Sequence, residues 1–323
     1  MTRRELITTA FNASSTADDV LDGVDLSGVR AIVTGASSGI GADTARALAA
    51  AGAEVTLAVR DTRAGEAVAA GIAEGGAARR PRVRPLDLAS PATISRFVDV
   101  WDGPLHVLVN NAGLVTGGPA HTSQGWELQF ATNHLGHFAL AAGLKNALAR
   151  GAESRGEARI VSVSSTAHMR SNVDFDDLHF LRRDYDPQLA YAQSKTANSL
   201  FAVEATRRWA SEGLFTNAVN PGGVATGLQR HFTPAQRNSL AAAEAAGVFR
   251  YKTLAQGAAT SVVAAVAPEF AHTGGHYLDD AREAYTVPND ADLADHPHGV
   301  KEWALDPEAA AALWDISAEE TGR

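Results

Sequence analysis

The chain has 323 residues, 45% of them apolar and 20% charged, with a formal net charge of −9 and no cysteine. The acidic charge argues against nucleic-acid or anionic-membrane partners, and the missing cysteine excludes disulfides, thiolate zinc sites and a thiol nucleophile. No apolar run reaches the roughly 18 residues of a membrane span, and the polar first residues lack the apolar centre of a secretory signal, so a cytoplasmic location is expected.

Residues 1–28, rich in Ser, Thr and Asp, read as a leader helix and linker. From Val29 onward, short β-branched runs alternate with alanine-rich helical patterns. "VRAIVTG" predicts a strand, followed by a helix from Ile40 to Ala51. "AEVTLAVR" is a second strand and "TRAGEAVAAGIAEG" a second helix. "RVRPLDL" is a third strand, followed by a helix from Pro91 to Trp101. "LHVLVNNAG" is a fourth strand, apolar almost throughout, as in a strand buried on both faces. A long helix is expected over Thr122 to Arg150, then a fifth strand in "ARIVSVSS" and a helix from Tyr191 to Ser211. "TNAVNPG" and "GGHYLDD" supply a sixth and a seventh strand. This alternation predicts an α/β chain with a Rossmann-type, doubly wound parallel sheet of about seven strands and right-handed crossovers. It forms one domain over 29–281, with insertions at 167–190 and 227–252. A C-terminal extension over 282–323 carries an amphipathic helix near 306–319, anchored by Leu313, Trp314 and Ile316.

The first strand-to-helix junction reads "TGASSGIG", placing Gly35, Gly39 and Gly41 in the spacing G-x-x-x-G-x-G. Glycines there let backbone N–H groups face a pyrophosphate at the positive end of a helix. A tight turn without a ligand carries the same spacing, which also differs from G-x-G-x-x-G, so the loop alone leaves both readings open. Tyr191 and Lys195 share one helix face, though such a pair alone is usually a solvated surface. A free tyrosine has a pKa near 10, so stabilising its phenolate at pH 7 takes roughly 4 kcal/mol, part of which a neighbouring ammonium can supply. The protonated phenol is already the useful form for giving a proton to a carbonyl oxygen. Ser164 and Ser165 end the fifth strand, where ligands of open α/β sheets bind. Strand alternation sends the two to opposite faces, so only one reaches such a site.

"NNAG" (Asn110 to Gly113), "SVSS" (Ser162 to Ser165) and "YAQSK" (Tyr191 to Lys195) follow "TGASSGIG" in that order, each at an expected strand end or helix. Together they resemble the short-chain dehydrogenase/reductase family over residues 29–265. "NHLGHF" (Asn133 to Phe138), the long Ser-to-Tyr insertion and "PGGVATGLQR" resemble its retinol-dehydrogenase-like branch. The resemblance implies catalytic roles for Ser165, the second serine of "VSS", and for Tyr191 as general acid/base and Lys195 beside it. It adds Asn133 as a helper that ties Lys195 to a water chain. It further implies a dinucleotide held by Gly35, Ser37, Ser38, Gly39, Ile40 and Gly41. Asp87 and Leu88 would lie at the adenine, Asn111, Ala112 and Gly113 along the cofactor, and Tyr191 and Lys195 beside it. Pro221, Gly222, Val224 and Thr226 would meet the nicotinamide end, with Thr226 on the carboxamide.

The end of the second strand selects the cofactor in related folds. Val59 takes the place of the acid expected for NAD, and Arg60 follows, able to fork onto a 2′-phosphate with Arg63 assisting. Asp61 would favour NAD, but it reads as an N-cap beyond the strand. The expectation is NADP(H). The expected function is therefore an NADP(H)-dependent carbonyl reductase or alcohol dehydrogenase acting on a lipophilic ketone, aldehyde or alcohol. A catalytically silent dinucleotide sensor is the alternative, but the tyrosine, the lysine, Ser165 and Asn133 are all present. A sugar-nucleotide epimerase or dehydratase would need a G-x-x-G-x-x-G loop and a larger C-terminal domain. His134 and His137 stand three apart, and His272, His276, His296 and His298 lie near the tail. Helical spacing of three needs a further ligand to hold a metal, so no metal site is expected. The resemblance implies a homodimer or homotetramer.

Overall fold

The computed structural model describes residues 5–227 and 250–323, together with residues 238, 241, 242, 244 and 245. Its strands are β1 (Arg30–Thr34), β2 (Glu54–Val59), β3 (Arg82–Pro85), β4 (Val107–Asn110), β5 (Ala158–Val163), β6 (Leu214–Asn220), β7 (Tyr277–Asp279) and β8 (Arg282–Glu283). They form one eight-stranded sheet in the order β3-β2-β1-β4-β5-β6-β7-β8. Every pairing is parallel except β7 with β8, which is antiparallel. The predicted sheet is thus extended by one short strand. A separate parallel pair, β9 (Thr286–Val287) with β10 (Val300–Lys301), lies in the C-terminal extension.

Apolar runs explain why the sheet is central. Along β1, Ala31 and Val33 pack in one layer while Ile32 packs in the other; along β4, Val107 and Val109 oppose Leu108. A strand whose successive side chains are all buried needs helices on both faces. One layer holds α1 (Ala17–Leu21), α2 (Gly39–Ala50), α3 (Thr62–Glu74) and α9 (Leu254–Val266). The other holds α4 (Pro91–Asp99), α6 (Gly136–Gly143), α7 (Lys145–Arg155) and α8 (Pro187–Trp209). The stretch read as a leader contributes Ala17, Val20, Leu21 and Leu26 to the first layer. Gly71 lies inside α3 with open space where a Cβ would go. Gly71→Ala should therefore raise stability by about 0.5–1 kcal/mol, read as a higher melting temperature.

The single helix expected over Thr122 to Arg150 is not what forms. α5 (Leu128–Phe130) passes into a π-turn at Ala131–Leu135, then α6, then α7. Residues 122–126 make a turn instead, with Thr122 N donating to Trp126 O. The Glu127 carboxylate caps α5 by accepting from Phe130 N at 2.7 Å. Leu144 (φ −91°, ψ 2°) separates α6 from α7. Helix α8 starts a turn before the expected Tyr191, because Asp186 caps it and Pro187 occupies its first turn. At the C-terminus, α10 (Pro307–Thr321) buries Leu313 and sets Trp314 among Phe138, Phe201 and Trp209, with ring centroids 4.8, 6.0 and 5.1 Å away. Among the described residues, no helix is long and apolar enough to cross a membrane.

Candidate active site

The glycine loop joins the C-terminal end of β1 to α2. Gly35 (φ 67°) and Gly39 (φ 61°) take left-handed backbone conformations. A Cβ on Gly35 would stand 2.7 Å from Ala112 Cα, so β1 and the turn after β4 touch backbone to backbone. A Cβ on Gly41 would overlap Asn111 Nδ2 and reach within 3.0 Å of Gly35 O. Ser38 precedes α2 in extended conformation, and no side chain caps the helix or places an acid in its first turn. The first-turn N–H groups are thus left facing outward over glycines, a donor set that fits a pyrophosphate. Ser37 and Ile40 are partly buried in this loop. Thr226 lies over it, its Cγ2 3.6 Å from a Cβ position on Gly39, and Ile40 and Val224 both pack at Gly257 of α9.

Other predicted cofactor residues spread along the same edge. Arg60 is exposed directly after β2, while Asp61 caps α3 by accepting from Ala64 N at 3.0 Å. Asp87 uses one carboxylate oxygen on Ala89 N, at 3.0 Å. Leu88 is buried, and its carbonyl and Cβ leave no room for a side chain at Gly136. The Asn111 amide is spent on the scaffold, donating to Thr34 O at 2.9 Å. Gly222 (φ 79°), after Pro221, lies against Lys252, which pairs with Asp280 at 2.5 Å.

Ser165, Tyr191, Lys195 and Asn133 come together at the C-terminal ends of β4 and β5. The neighbouring serines are told apart by their bonds. Ser164 is buried and donates to Lys195 O at 2.7 Å, so its hydroxyl is absorbed into α8. Ser165 accepts from Ala167 N at 3.1 Å and lies beside the Tyr191 hydroxyl. Burial pushes the Tyr191 phenol up to about 12, with the Ser165 hydroxyl opposing. Burial also pushes Lys195 down to about 8. The Lys195 ammonium donates to Val163 O at 2.8 Å and lies 5.5 Å from the Tyr191 ring centroid. Asn133 sits in the π-turn. Its Oδ1 accepts from Leu114 N at 2.9 Å, and its Nδ2 donates to Leu114 O at 3.2 Å and to Ser194 Oγ at 3.0 Å. Ser194 Oγ in turn donates to Tyr191 O at 2.7 Å. Asn133 Oδ1 and Lys195 Nζ flank Gly113, each 3.5 Å from where its Cβ would be, so glycine keeps this corner open.

A sequence model of the short chain dehydrogenase family matches residues 30–237. The chain belongs to this family. It is 48% identical over 302 residues to a probable oxidoreductase of Streptomyces antibioticus, covering 92% of this chain and 98% of that one. It is 36% identical over 300 residues to human retinol dehydrogenase 13, covering 91% and 85% of the two chains. These likenesses place the dehydrogenase in the retinol-dehydrogenase-like branch. A solved structure of an uncharacterised protein from Mycobacterium Paratuberculosis superposes with a TM-score of 0.70 at 32% identity, covering 97% of this chain and 98% of that one. The RhlG/NADP complex of Pseudomonas aeruginosa superposes with a TM-score of 0.63 at 25% identity, covering 77% and 94%. As a short-chain dehydrogenase/reductase, the protein is an NAD(P)-dependent oxidoreductase of small molecules.

The 167–190 insertion of this dehydrogenase is tied down rather than loose. The Asp177 carboxylate accepts the amides of Leu181, Arg182 and Arg183 at 2.7, 3.1 and 3.0 Å. The Tyr185 hydroxyl meets Thr116 Oγ1 at 2.7 Å, accepts from Gln129 Nε2 at 2.9 Å and donates to Glu127 Oε1 at 2.9 Å. His179 Nδ1 accepts from Glu127 N at 3.2 Å, and its Nε2 donates to Glu320 of α10 at 2.9 Å. Sequence reasoning did not single out Glu127 or Tyr185. Burial raises the Glu127 carboxyl above the usual carboxylate range, with the hydrogen bonds from α5 and Tyr185 opposing only in part. The second insertion, 227–252, lies largely outside the described residues. Of the tail histidines, His298 bonds Asp279 at 2.8 Å and lies 3.3 Å from Asp280. Among the described residues only these three group closely enough to share a metal. Lys252 already neutralises Asp280, so an ion-pair cluster accounts for them.

Proposed function

We propose that this dehydrogenase is an NADP(H)-dependent carbonyl reductase or alcohol dehydrogenase for a lipophilic ketone, aldehyde or alcohol. The observation that carries the reading is the Tyr191 hydroxyl beside Ser165, backed by a buried Lys195 whose ammonium reaches Gly113, while the neighbouring Ala112 touches Gly35 of an uncapped, glycine-lined helix start. The bound nicotinamide supplies or accepts the hydride. The chain's own residues handle the proton and the oxygen. Ser165 orients the substrate oxygen, and Tyr191 donates its phenolic proton as the alkoxide forms, or takes it in the reverse direction. Lys195 places positive charge beside the phenolate so formed. Gly35, Gly39, Gly41 and the first turn of α2 hold the pyrophosphate, and Gly113 keeps room between Asn133 and Lys195.

Arg60 supports NADP(H) over NAD(H): it is exposed at the end of β2, Val59 offers no acid, and Asp61 is committed as a helix cap. The Pseudomonas aeruginosa neighbour was solved with NADP. Retinol dehydrogenase 13 is named for a lipophilic alcohol. Purified protein supplied with NADPH and a panel of lipophilic ketones and aldehydes should consume cofactor absorbance. NADPH binding without turnover across the panel would favour the silent sensor instead. Losing a charge-assisted bidentate contact costs about 1.5–3 kcal/mol, so Arg60→Ala should weaken NADPH at least about tenfold while sparing NADH. An unchanged NADPH-to-NADH preference would remove Arg60 from the assignment.

A further inference from the structure

The motif "NHLGHF" contains a buried histidine that ties two of the site's elements together yet belongs to neither the hydride nor the proton path. His137 is the second residue of α6 and is 3% exposed. Its Nδ1 lies 2.9 Å from the carbonyl oxygen of Asn133, and its Nε2 lies 2.8 Å from Thr34 Oγ1. Thr34 is the last residue of β1, immediately before Gly35. The imidazole therefore spans from the π-turn that carries Asn133 to the strand end that opens the glycine loop.

Counting donors fixes every hydrogen in this bridge. The Thr34 hydroxyl accepts the N–H groups of Asn111 and Ala112 at 2.9 and 3.0 Å, which uses both lone pairs. Its one proton goes to His137 Nε2 at 2.8 Å rather than to Val109 O at 3.3 Å. A carbonyl can only accept, so His137 Nδ1 carries the ring hydrogen and donates it to Asn133 O. An imidazolium would need a second acceptor at Nε2, and Thr34 has no lone pair left to offer. Burial agrees, holding the ring down to about 4 and hence neutral. The result is a one-way chain from the Asn111 and Ala112 amides through Thr34 and His137 to the backbone of Asn133. Asn133 then grips Leu114 with both ends of its amide and reaches the Tyr191 helix through Ser194.

We propose that His137 is a positioning residue that locks the dinucleotide-binding strand ends, through Thr34, to the Asn133 turn that borders the catalytic helix. The inference rests on the proposed reading that these strand ends hold NADP(H) and that Tyr191 acts beside them. His134, in the same π-turn as Asn133 and equally buried, offers a contrast: its ring bonds Ser317 of α10 at 2.9 Å instead of bridging to Thr34. Ser317→Ala thus loosens the same turn from behind without touching the bridge.

Three variants in the full-length protein separate the roles, read by melting temperature, NADPH Kd from fluorescence titration, and kcat. His137→Leu removes both ring bonds. It should weaken NADPH by about tenfold and lower kcat by a similar factor, the loss of roughly one or two buried hydrogen bonds. His137→Asn keeps a donor for Asn133 O but cannot reach Thr34. It should bring kcat back to within about threefold of wild type while NADPH binding stays weak. Ser317→Ala should lower the melting temperature and leave Kd and kcat unchanged. Wild-type NADPH affinity in folded His137→Leu, or in His137→Asn should the leucine variant not fold, would overturn the proposal. So would an equal loss of affinity in Ser317→Ala. Because Kd is read without turnover, a protein that binds NADPH yet reduces nothing would defeat the carbonyl-reductase reading while still judging the role of His137.

Discussion

Tyr191→Phe should lower kcat by roughly a thousandfold, within the range that general acid–base catalysis supplies, and leave NADPH Kd unchanged. The substitution removes one oxygen and nothing else from a ring that packs beside Lys195, so the cofactor cradle keeps its shape. What disappears is the proton donor beside Ser165. The direction of reaction sets the pH behaviour. With the phenol pushed up to about 12, it is protonated throughout the neutral range, so carbonyl reduction should show no fall from this group as pH rises past neutrality. Alcohol oxidation needs the phenolate and should speed up with rising pH. The positive charges of Lys195 and of an oxidised nicotinamide stabilise the phenolate and move that rise toward lower pH. Equal turnover by wild type and Tyr191→Phe would sink the mechanism; steady-state rates in both directions across pH decide it.

Much of the fold was legible because burial wrote it twice. The strands β1, β4 and β5 are nearly continuous apolar runs, and runs of that kind require helices on both faces, which the intervening alanine-rich segments provide. The short pairings of β8, β9 and β10 carry two residues each, too few for any periodicity to show. The helix expected over 122–150 failed for a different reason. Its apolar spacing is helical, but Glu127 caps α5 locally at Phe130, and side-chain bonds to distant residues, Glu127 with Tyr185, Asn133 with Leu114 and His137 with Thr34, tie the segment down along its length. Partners far away in sequence are invisible to local pattern. The same holds at the site. Alternation said that only one of Ser164 and Ser165 could face the cleft, and the bond from Ser164 to Lys195 O shows which one the scaffold consumes. Glu127 and Tyr185 left no local signal, since a buried carboxylate clothed by a phenol looks in sequence like any surface pair.

Gly41→Ala should weaken NADPH binding by about a hundredfold and lower the melting temperature, although alanine is the better helix former. Gly41 lies in the first turn of α2, where the exchange alone would favour the helix by about 1 kcal/mol. Against this stands the added methyl, which would overlap Asn111 Nδ2 and press to within 3.0 Å of Gly35 O. The Asn111 amide is not a free side-chain end that can swing aside. It donates to Thr34 O at 2.9 Å, and its own backbone N–H is one of the two that Thr34 Oγ1 accepts. Retreat would break the tie between β1 and β4 at the point where Gly35 and Ala112 already touch. Overpacking of this kind costs about 1–3 kcal/mol, which exceeds the propensity gain and, expressed on the cofactor cradle, reaches about a hundredfold in Kd. Gly71→Ala is the matched comparison, since the same exchange in open space on α3 has only the favourable part. Opposite shifts in melting temperature for the two variants, with NADPH affinity lost only in the first, are the expected outcome. A Gly41→Ala protein that binds NADPH as tightly as wild type would show that the loop tolerates a Cβ where the pyrophosphate is proposed to approach.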